Sequence, residues 1–222
     1  MVASEIRQRS IVRDYKYRKI ARGIQHNRAK TFIANSIKDG TLSAGSLNAE
    51  GRQYLDMMAD NDFERDTLDI NGDFLIAYGE VFSMNTFPKK SGIFAVNTEI
   101  KMDFNGVEVN PDIWCGTQRL NFKNRMRIGL MNIRYAKGKP LDEETRRYQF
   151  AILFGTRKLI DGKDEVADEE KLCLILDCAT GNFIVAPTDA TRRFQNVQAA
   201  CASIAERWEN IEPPENAVLS NG

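Results

Sequence analysis

The chain has 222 residues, 42 % hydrophobic and 28 % charged, with 31 Lys and Arg balanced by 31 Asp and Glu. That length can bury a sizeable core as one large domain or two small ones, and no apolar run approaches the roughly 20 residues needed to span a bilayer. One histidine and the absence of a Walker loop, a G-x-G-x-x-G after a strand, a G-x-S-x-G elbow and an H-E-x-x-H motif disfavour most hydrolase classes.

The neutral total conceals segregation. Residues 1–40 hold ten Lys and Arg against Glu5, Asp14 and Asp39, and residues 113–141 hold seven against none. The compensating acid collects at 60–73, 142–144 and 161–170. Such segregation predicts polarised surfaces.

Residues 5–22 predict a basic helix, with Ile11, Val12, Tyr15 and Ile20 as a ragged apolar stripe among Arg7, Arg9, Arg13, Lys16, Arg18, Lys19 and Arg22. Gly23 ends it. A second helix over 27–38 places Ala29, Phe32, Ile33 and Ile37 on one face and stops at Asp39-Gly40. The pair has the outline of a helix-turn-helix without a specific turn signature. His26, at the break, reads as a polar cap residue, because a lone histidine has no catalytic or metal-ligating partner. After a polar loop over 41–46, Asn48 is placed to cap a third helix over 49–60, with Tyr54, Leu55 and Met58 inward. Asn71-Gly72 then leads into the nearly all-apolar Phe74-Leu75-Ile76-Ala77-Tyr78, which predicts a strand and a change from helices to a β-rich body near residue 70.

A strand over 93–96 precedes the clearest local pattern. Ile100, Met102 and Phe104 alternate with Glu99, Lys101 and Asp103, and Asn105-Gly106 supplies the two positive-φ residues of a type I′ turn. The register follows: Phe104 faces Val107, Met102 faces Val109, and Asp103 faces Glu108. That last like-charge pair needs a nearby cation, which Lys101 can provide.

Beyond Pro111 come Arg119, Lys123, Arg125, Arg127, Arg134, Lys137 and Lys139 with no acid between 113 and 141. Met126, Ile128 and Leu130 alternate with Arg125 and Arg127, and the parity then shifts to Met131, Ile133 and Tyr135, which predicts a bulge near 129–131. The unbroken apolar run over 148–154 predicts a strand covered on both faces. Leu172 to Cys178 predicts another, and Gly181-Asn182 turns into a strand over 183–186. The short spacings favour antiparallel hairpins over βαβ crossovers. Phe194, Val197, Cys201, Ile204, Trp208 and Ile211 give the strongest helical seam, capped by Thr188 or Asp189 and ended by Pro213-Pro214.

The predicted fold is α+β: N-terminal helices, an antiparallel β-sheet body with hairpins, and a long C-terminal amphipathic helix packed on the sheet. Its parts are a basic helical region over 1–68, a β-rich domain over 69–212 closed by that helix, and a tail over 213–222. Cys115, Cys173, Cys178 and Cys201 have no zinc or disulfide spacing and read as buried small hydrophobes in a reducing compartment. The N-terminus lacks a secretory h-region, so the expected location is cytoplasmic.

The charge pattern supports a non-catalytic nucleic-acid-binding or complex-forming protein. Phosphates would meet Arg13, Lys16, Arg18, Lys19 and Arg22 on the N-terminal helix, and Arg119, Lys123, Arg125, Arg127, Arg134, Lys137 and Lys139 on a sheet face, with Phe122 and Tyr135 as stacking rings. DNA and RNA are equally open, and no cofactor or membrane is implied. Two further expectations belong to other classes. Asp73, followed 26 residues later by Glu99-Ile100-Lys101, resembles the Asp…Glu-x-Lys pattern of the PD-(D/E)xK nuclease family, with Glu50 or Glu64 as a further acid. The resemblance implies Mg²⁺ held by two carboxylates and Lys101 polarising the attacking water. It departs from the family in one respect, because there the Glu-x-Lys strand usually leads to a helix, whereas Asn105-Gly106 turns this one into a hairpin. The third expectation is a structural subunit of a large assembly such as a phage particle or secretion machine, joined to a protein partner or to copies of itself through the N-terminal arm and C-terminal helix.

Overall fold

A computed structural model describes residues 5–17, 26–83, 92–96, 100–121, 123–136, 141–161, 167–168 and 170–213. Four helices come first: α1 (Glu5–Tyr17), α2 (Asn27–Lys38), α3 (Ala44–Asp56) and α4 (Asp62–Val81). Then follow β1 (Gly92–Phe94), β2 (Met102–Phe104), β3 (Val107–Val109), β4 (Cys115–Leu120) and β5 (Met126–Arg134). The chain continues with α5 (Glu143–Asp161), β6 (Ala167–Asp168), β7 (Leu174–Asp177), β8 (Asn182–Val185) and α6 (Ala190–Trp208). The fold class is α+β, as the sequence predicts.

The main sheet runs β1-β4-β5-β7-β8, with β6 beside β5, and β2-β3 form a separate ribbon. Its pairs are antiparallel except β5 with β6 and β5 with β7. A parallel neighbour needs a crossover, and α5 provides it. The expected strand over 148–154 is therefore the middle of helix α5. Phe150, Ala151, Leu153 and Phe154 are all buried, and a helix covered on two sides is as uniformly apolar as a buried strand.

The strand expected at Phe74 to Tyr78 is likewise helical. Leu68, Asn71, Gly72, Phe74, Leu75, Tyr78 and Gly79 are the buried positions of α4, and their steps of three and four are a helix period. Asn71-Gly72 makes no turn. Asn71 Oδ1 accepts from Ala29 N at 2.9 Å while its Nδ2 donates to Thr67 O at 2.8 Å. Gly72 lets α3 approach at Gly51. α4 thus runs unbroken through residues 68 and 69, and one apolar cluster joins Ala29, Ile33 and Leu47 to Met131, Ile133 and Leu176.

α3 also starts earlier than expected. Ser43 is its N-cap and forms a capping box with Ser46, so Asn48 lies inside the helix and its Nδ2 donates to Ala44 O at 2.8 Å. Asp189, one of the two expected capping residues, holds the N-cap position of α6 but makes no side-chain cap bond.

The ribbon has the predicted register, Met102 with Val109, Asp103 with Glu108 and Phe104 with Val107. Asn105 and Gly106 have φ of 57° and 80°. Lys101 Nζ donates to both Glu108 carboxylate oxygens at 3.1 Å, which relieves the Asp103–Glu108 repulsion. The apolar side, Met102, Phe104 and Val109, closes over Ala151 of α5 and Phe194 of α6, with the Phe104 and Phe194 rings edge-to-face at 5.7 Å.

β5 carries no bulge: its pairing with β4 runs without a break from Cys115↔Met131 to Leu120↔Met126. The apparent parity shift arises because residues 129–133 are buried on both faces. Met131 and Ile133 meet α2 and α4, while Leu130 meets Phe150 and Leu153 of α5.

Gly51 against Gly72 sets the α3–α4 spacing. A Cβ on Gly51 would stand 2.8 Å from Gly72 O and 2.8 Å from Ile76 Cγ1. Gly51→Ala is expected to lower stability by about 1–3 kcal/mol, the usual cost of overpacking, measured as the urea midpoint against wild type.

Candidate nucleic-acid interface

The turn joining β4 to β5 is fixed by its own side chains. Asn121 Oδ1 accepts from Lys123 N at 2.8 Å and Arg125 N at 3.0 Å, Asn121 N donates to Arg125 O at 3.0 Å, and Asn124 takes φ 55°. Asn tolerates that left-handed conformation better than most residues. The turn presents Lys123 and Arg125 to solvent. Behind it the ladder sets Arg119 directly opposite Arg127, and like charges across a ladder repel. Neither Arg125 nor Arg127 forms an ion pair or side-chain hydrogen bond among the described residues.

Arg134 is not on this surface. It lies at the far end of β5 with parity opposite to Arg125 and Arg127, and pairs with Asp177 of β7 at 3.7 Å, both side chains being largely buried. Arg13 is exposed on α1. Lys16 donates to Trp208 O and Ile211 O and lies 5.4 Å from the Trp208 ring, so it neutralises the carbonyl end of α6. Arg18, Lys19, Arg22, Phe122, Lys137 and Lys139 lie outside the described residues.

The nuclease-like residues are placed as follows. Asp73 is exposed on helix α4, not on a strand. Lys101 is held by Glu108, and Glu99 lies outside the described residues. Glu64 pairs with Arg28 at 3.6 Å, and Glu50 stands on α3.

A different set of residues converges where β5 ends. A crevice of about 300 Å³ is lined by His26 and Lys30 of α2, Pro111 and Asp112 before β4, Asn132 and Arg134 of β5, and Gln149 of α5. Its position outside the carboxyl end of a parallel strand is where open α/β sheets hold ligands. Asp112 is its only carboxylate among the described residues, and three donors hold it: Lys30 Nζ at 2.6 Å, Trp114 Nε1 at 2.7 Å and Asn132 Nδ2 at 3.0 Å. An acid before one strand, a polar-x-cation triplet on the next and a helix after it reproduce the order of the Asp…Glu-x-Lys pattern. Here Asn132-Ile133-Arg134 replaces Glu-x-Lys, and β5 leads into α5. The signal was present in Pro111-Asp112 followed 20 residues later by Asn132. A search for two literal carboxylates passes over it.

With an amide in place of the second carboxylate, Asp112 alone cannot supply the several charged oxygens that a divalent ion takes. No group of three or more His, Cys, Asp or Glu that could hold a metal ion occurs among the described residues. Within the same residues no helix is long and apolar enough to cross a membrane. No protein family matches the chain, and no curated protein matches it in sequence.

His26 occupies the N-cap position of α2 but makes no side-chain cap bond. Its ring stands edge-on to Phe74 and Tyr135 at 5.5 and 5.6 Å. Burial, and then the Lys30 ammonium, hold its pKa below the ordinary 6.5. The unfolded chain therefore binds this proton more readily than the folded one, so stability rises with pH up to the unfolded value. Urea unfolding is expected to show stability falling as pH drops through 6.5. His26→Gln should remove that part of the slope, and an unchanged slope would show that His26 does not carry it.

Proposed function

We propose that the protein is a non-catalytic nucleic-acid-binding protein that grips phosphates with the β4–β5 hairpin. The observation that carries this reading is the pair of guanidiniums, Arg125 and Arg127, that form no ion pair among the described residues and stand beside Arg119 on one face of the hairpin. A surface that leaves its own cations uncompensated is stabilised by an external polyanion, and the release of condensed counterions drives that contact. The turn geometry fixes the backbone at Lys123 and Arg125, whose side chains are exposed. Arg13, exposed on α1, is a further candidate cation, and the cytoplasm is where such a protein would meet its polymer.

The crevice bears on catalysis. A metal-dependent phosphodiester cleavage needs two carboxylates around Mg²⁺, and Asn132 stands where the second would be, donating to Asp112. DNA and RNA incubated with the protein and Mg²⁺ should stay intact. Cleavage that disappears in Asp112→Asn would overturn the non-catalytic reading.

Binding is tested by filter titration of single- and double-stranded DNA and RNA across a salt series. Arg125→Glu with Arg127→Glu is expected to weaken affinity by about tenfold or more at low salt and, on a duplex, to flatten the log–log salt slope by about two units. Equal affinity and slope for wild type and variant would refute the assignment.

A further inference from the structure

The crevice at the carboxyl end of β5 holds polar atoms that the fold itself does not satisfy. His26 and Gln149 both line it, and His26 Nδ1 and Gln149 Oε1 are shut off from solvent with no hydrogen-bond partner among the described residues. Buried polar atoms are nearly always bonded, and a bond left unmade forfeits more than an average hydrogen bond contributes. A group that enters and bonds either atom therefore gains more here than it would on satisfied surface. The Gln149 amide can turn to meet it, because the last torsion of a glutamine side chain is broad.

The electrostatics set the sign of that group. Lys30 and Arg134 line the crevice against one carboxylate among the described residues, Asp112, which Lys30, Trp114 and Asn132 already hold. Lys30 has three N–H donors, and Asp112 takes one of them. The N-terminus of α2 adds the positive end of its dipole, with no acid in its first turn and no side-chain cap from His26. The bond from Lys30 N to His26 O at 3.0 Å sets the two residues one turn apart, and the ammonium is close enough to lower the His26 pKa. An anion is the charge this end of the sheet accepts.

The rest of the wall is apolar. Pro111, Tyr135, Ile152 and Leu153 line it, and the Tyr135 ring is fixed by stacking on Phe74 at 4.2 Å. At about 300 Å³ the crevice stands at the small end of ligand sites. A surplus of one positive charge matches a monoanion, the Gln149 oxygen requires a donor on the same molecule, and the apolar wall suits a hydrocarbon body. We propose that the crevice binds a small α-hydroxycarboxylate with an apolar side group. Its carboxylate meets Lys30 and His26, its hydroxyl donates to Gln149 Oε1, and its hydrocarbon lies against Tyr135, Ile152 and Leu153. The site does not depend on the nucleic-acid reading: Arg127 and Arg134 are 7 residues apart on β5, about 23 Å of strand.

The test follows the imidazole of His26, the one histidine of the chain, by proton NMR of the full chain titrated with α-hydroxyisocaproate, with calorimetry in parallel. Saturable shifts are expected, and the ring's pH midpoint should rise in the complex because a carboxylate beside it offsets the Lys30 ammonium. Isocaproate, which lacks the hydroxyl, should bind about tenfold more weakly, and leucine, whose own ammonium cancels the charge, should also bind more weakly. Gln149→Leu should bring the two acids to the same affinity, and Lys30→Met should weaken both. No saturable shift from any of the three compounds up to about 10 mM overturns the site, and this comparison on wild type needs no variant to fold. Isocaproate or leucine binding as tightly as α-hydroxyisocaproate overturns the hydroxyl contact, as does a Gln149→Leu protein that keeps the preference. Inorganic phosphate competing with equal affinity would show a plain anion site and overturn the carboxylate class. Arg125→Glu with Arg127→Glu should bind the acid as wild type does, and a loss there would place the acid on the hairpin and overturn the crevice.

Discussion

Double burial of β5 is the constraint on which the other features depend. Its odd residues, Met131 and Ile133, need α2 and α4 on one side, and Leu130 needs α5 on the other. A strand sealed on both faces cannot take a neighbour from a simple hairpin at each edge here, so β7 arrives parallel through α5. The crossover then leaves the carboxyl end of β5 open between α2 and α5, and this is how Asn132 and Arg134 come to face Lys30 and Asp112. At its other end β5 emerges from cover just where it turns back to β4. There the side chains of Arg125 and Arg127 form no ion pair among the described residues.

Legibility tracked the range of the interactions. The β2–β3 ribbon was readable to the residue because its information is local: a positive-φ Asn-Gly pair and a period of two on a half-buried surface. α2 and α6 were readable for the same reason, with one wet face and one dry face at helical spacing. α4 and α5 were not, because each is covered on more than one side and its sequence loses the polar stripe that marks a helix. Asn71-Gly72 added a false turn signal. Its meaning lies in two long-range facts, the Asn71 bond to Ala29 and the Gly51–Gly72 approach. The supposed bulge in β5 had the same origin, since a parity change and a change from one-sided to two-sided burial look alike in sequence.

The candidate sites divide along the same line. Arg125 and Arg127 were legible from the charge run alone, because an exposed tip leaves its residues where their sequence puts them. Arg134 was not, although it belongs to the same run. Only tertiary structure shows that β5 carries it 7 residues beyond Arg127, across to the opposite face and against Asp177. The crevice was hidden because its composition is written in Asn and Arg rather than in carboxylates and Lys. The order acid, strand, polar-x-cation, helix is a statement about topology, and topology was the part the sequence left open.

Zero net charge is compatible with a strong local field because charge cancels over the sequence but not over the surface. Where acids and bases meet inside the fold, as at Lys30–Asp112, Arg134–Asp177 and the Arg147–Asp189–Arg193–Glu144 network at the start of α5 and α6, they are spent on positioning helices. Among the described residues, Arg125 and Arg127 at the β4–β5 tip and Asp56, Asp60 and Asp62 at the α3–α4 turn form no ion pair. Neither surplus stabilises the monomer, and the Arg119–Arg127 ladder pair opposes it. A fold that seals residues 129–133 on both faces can tolerate that local repulsion. An anionic surface arriving there would meet Arg125 and Arg127, which form no ion pair among the described residues.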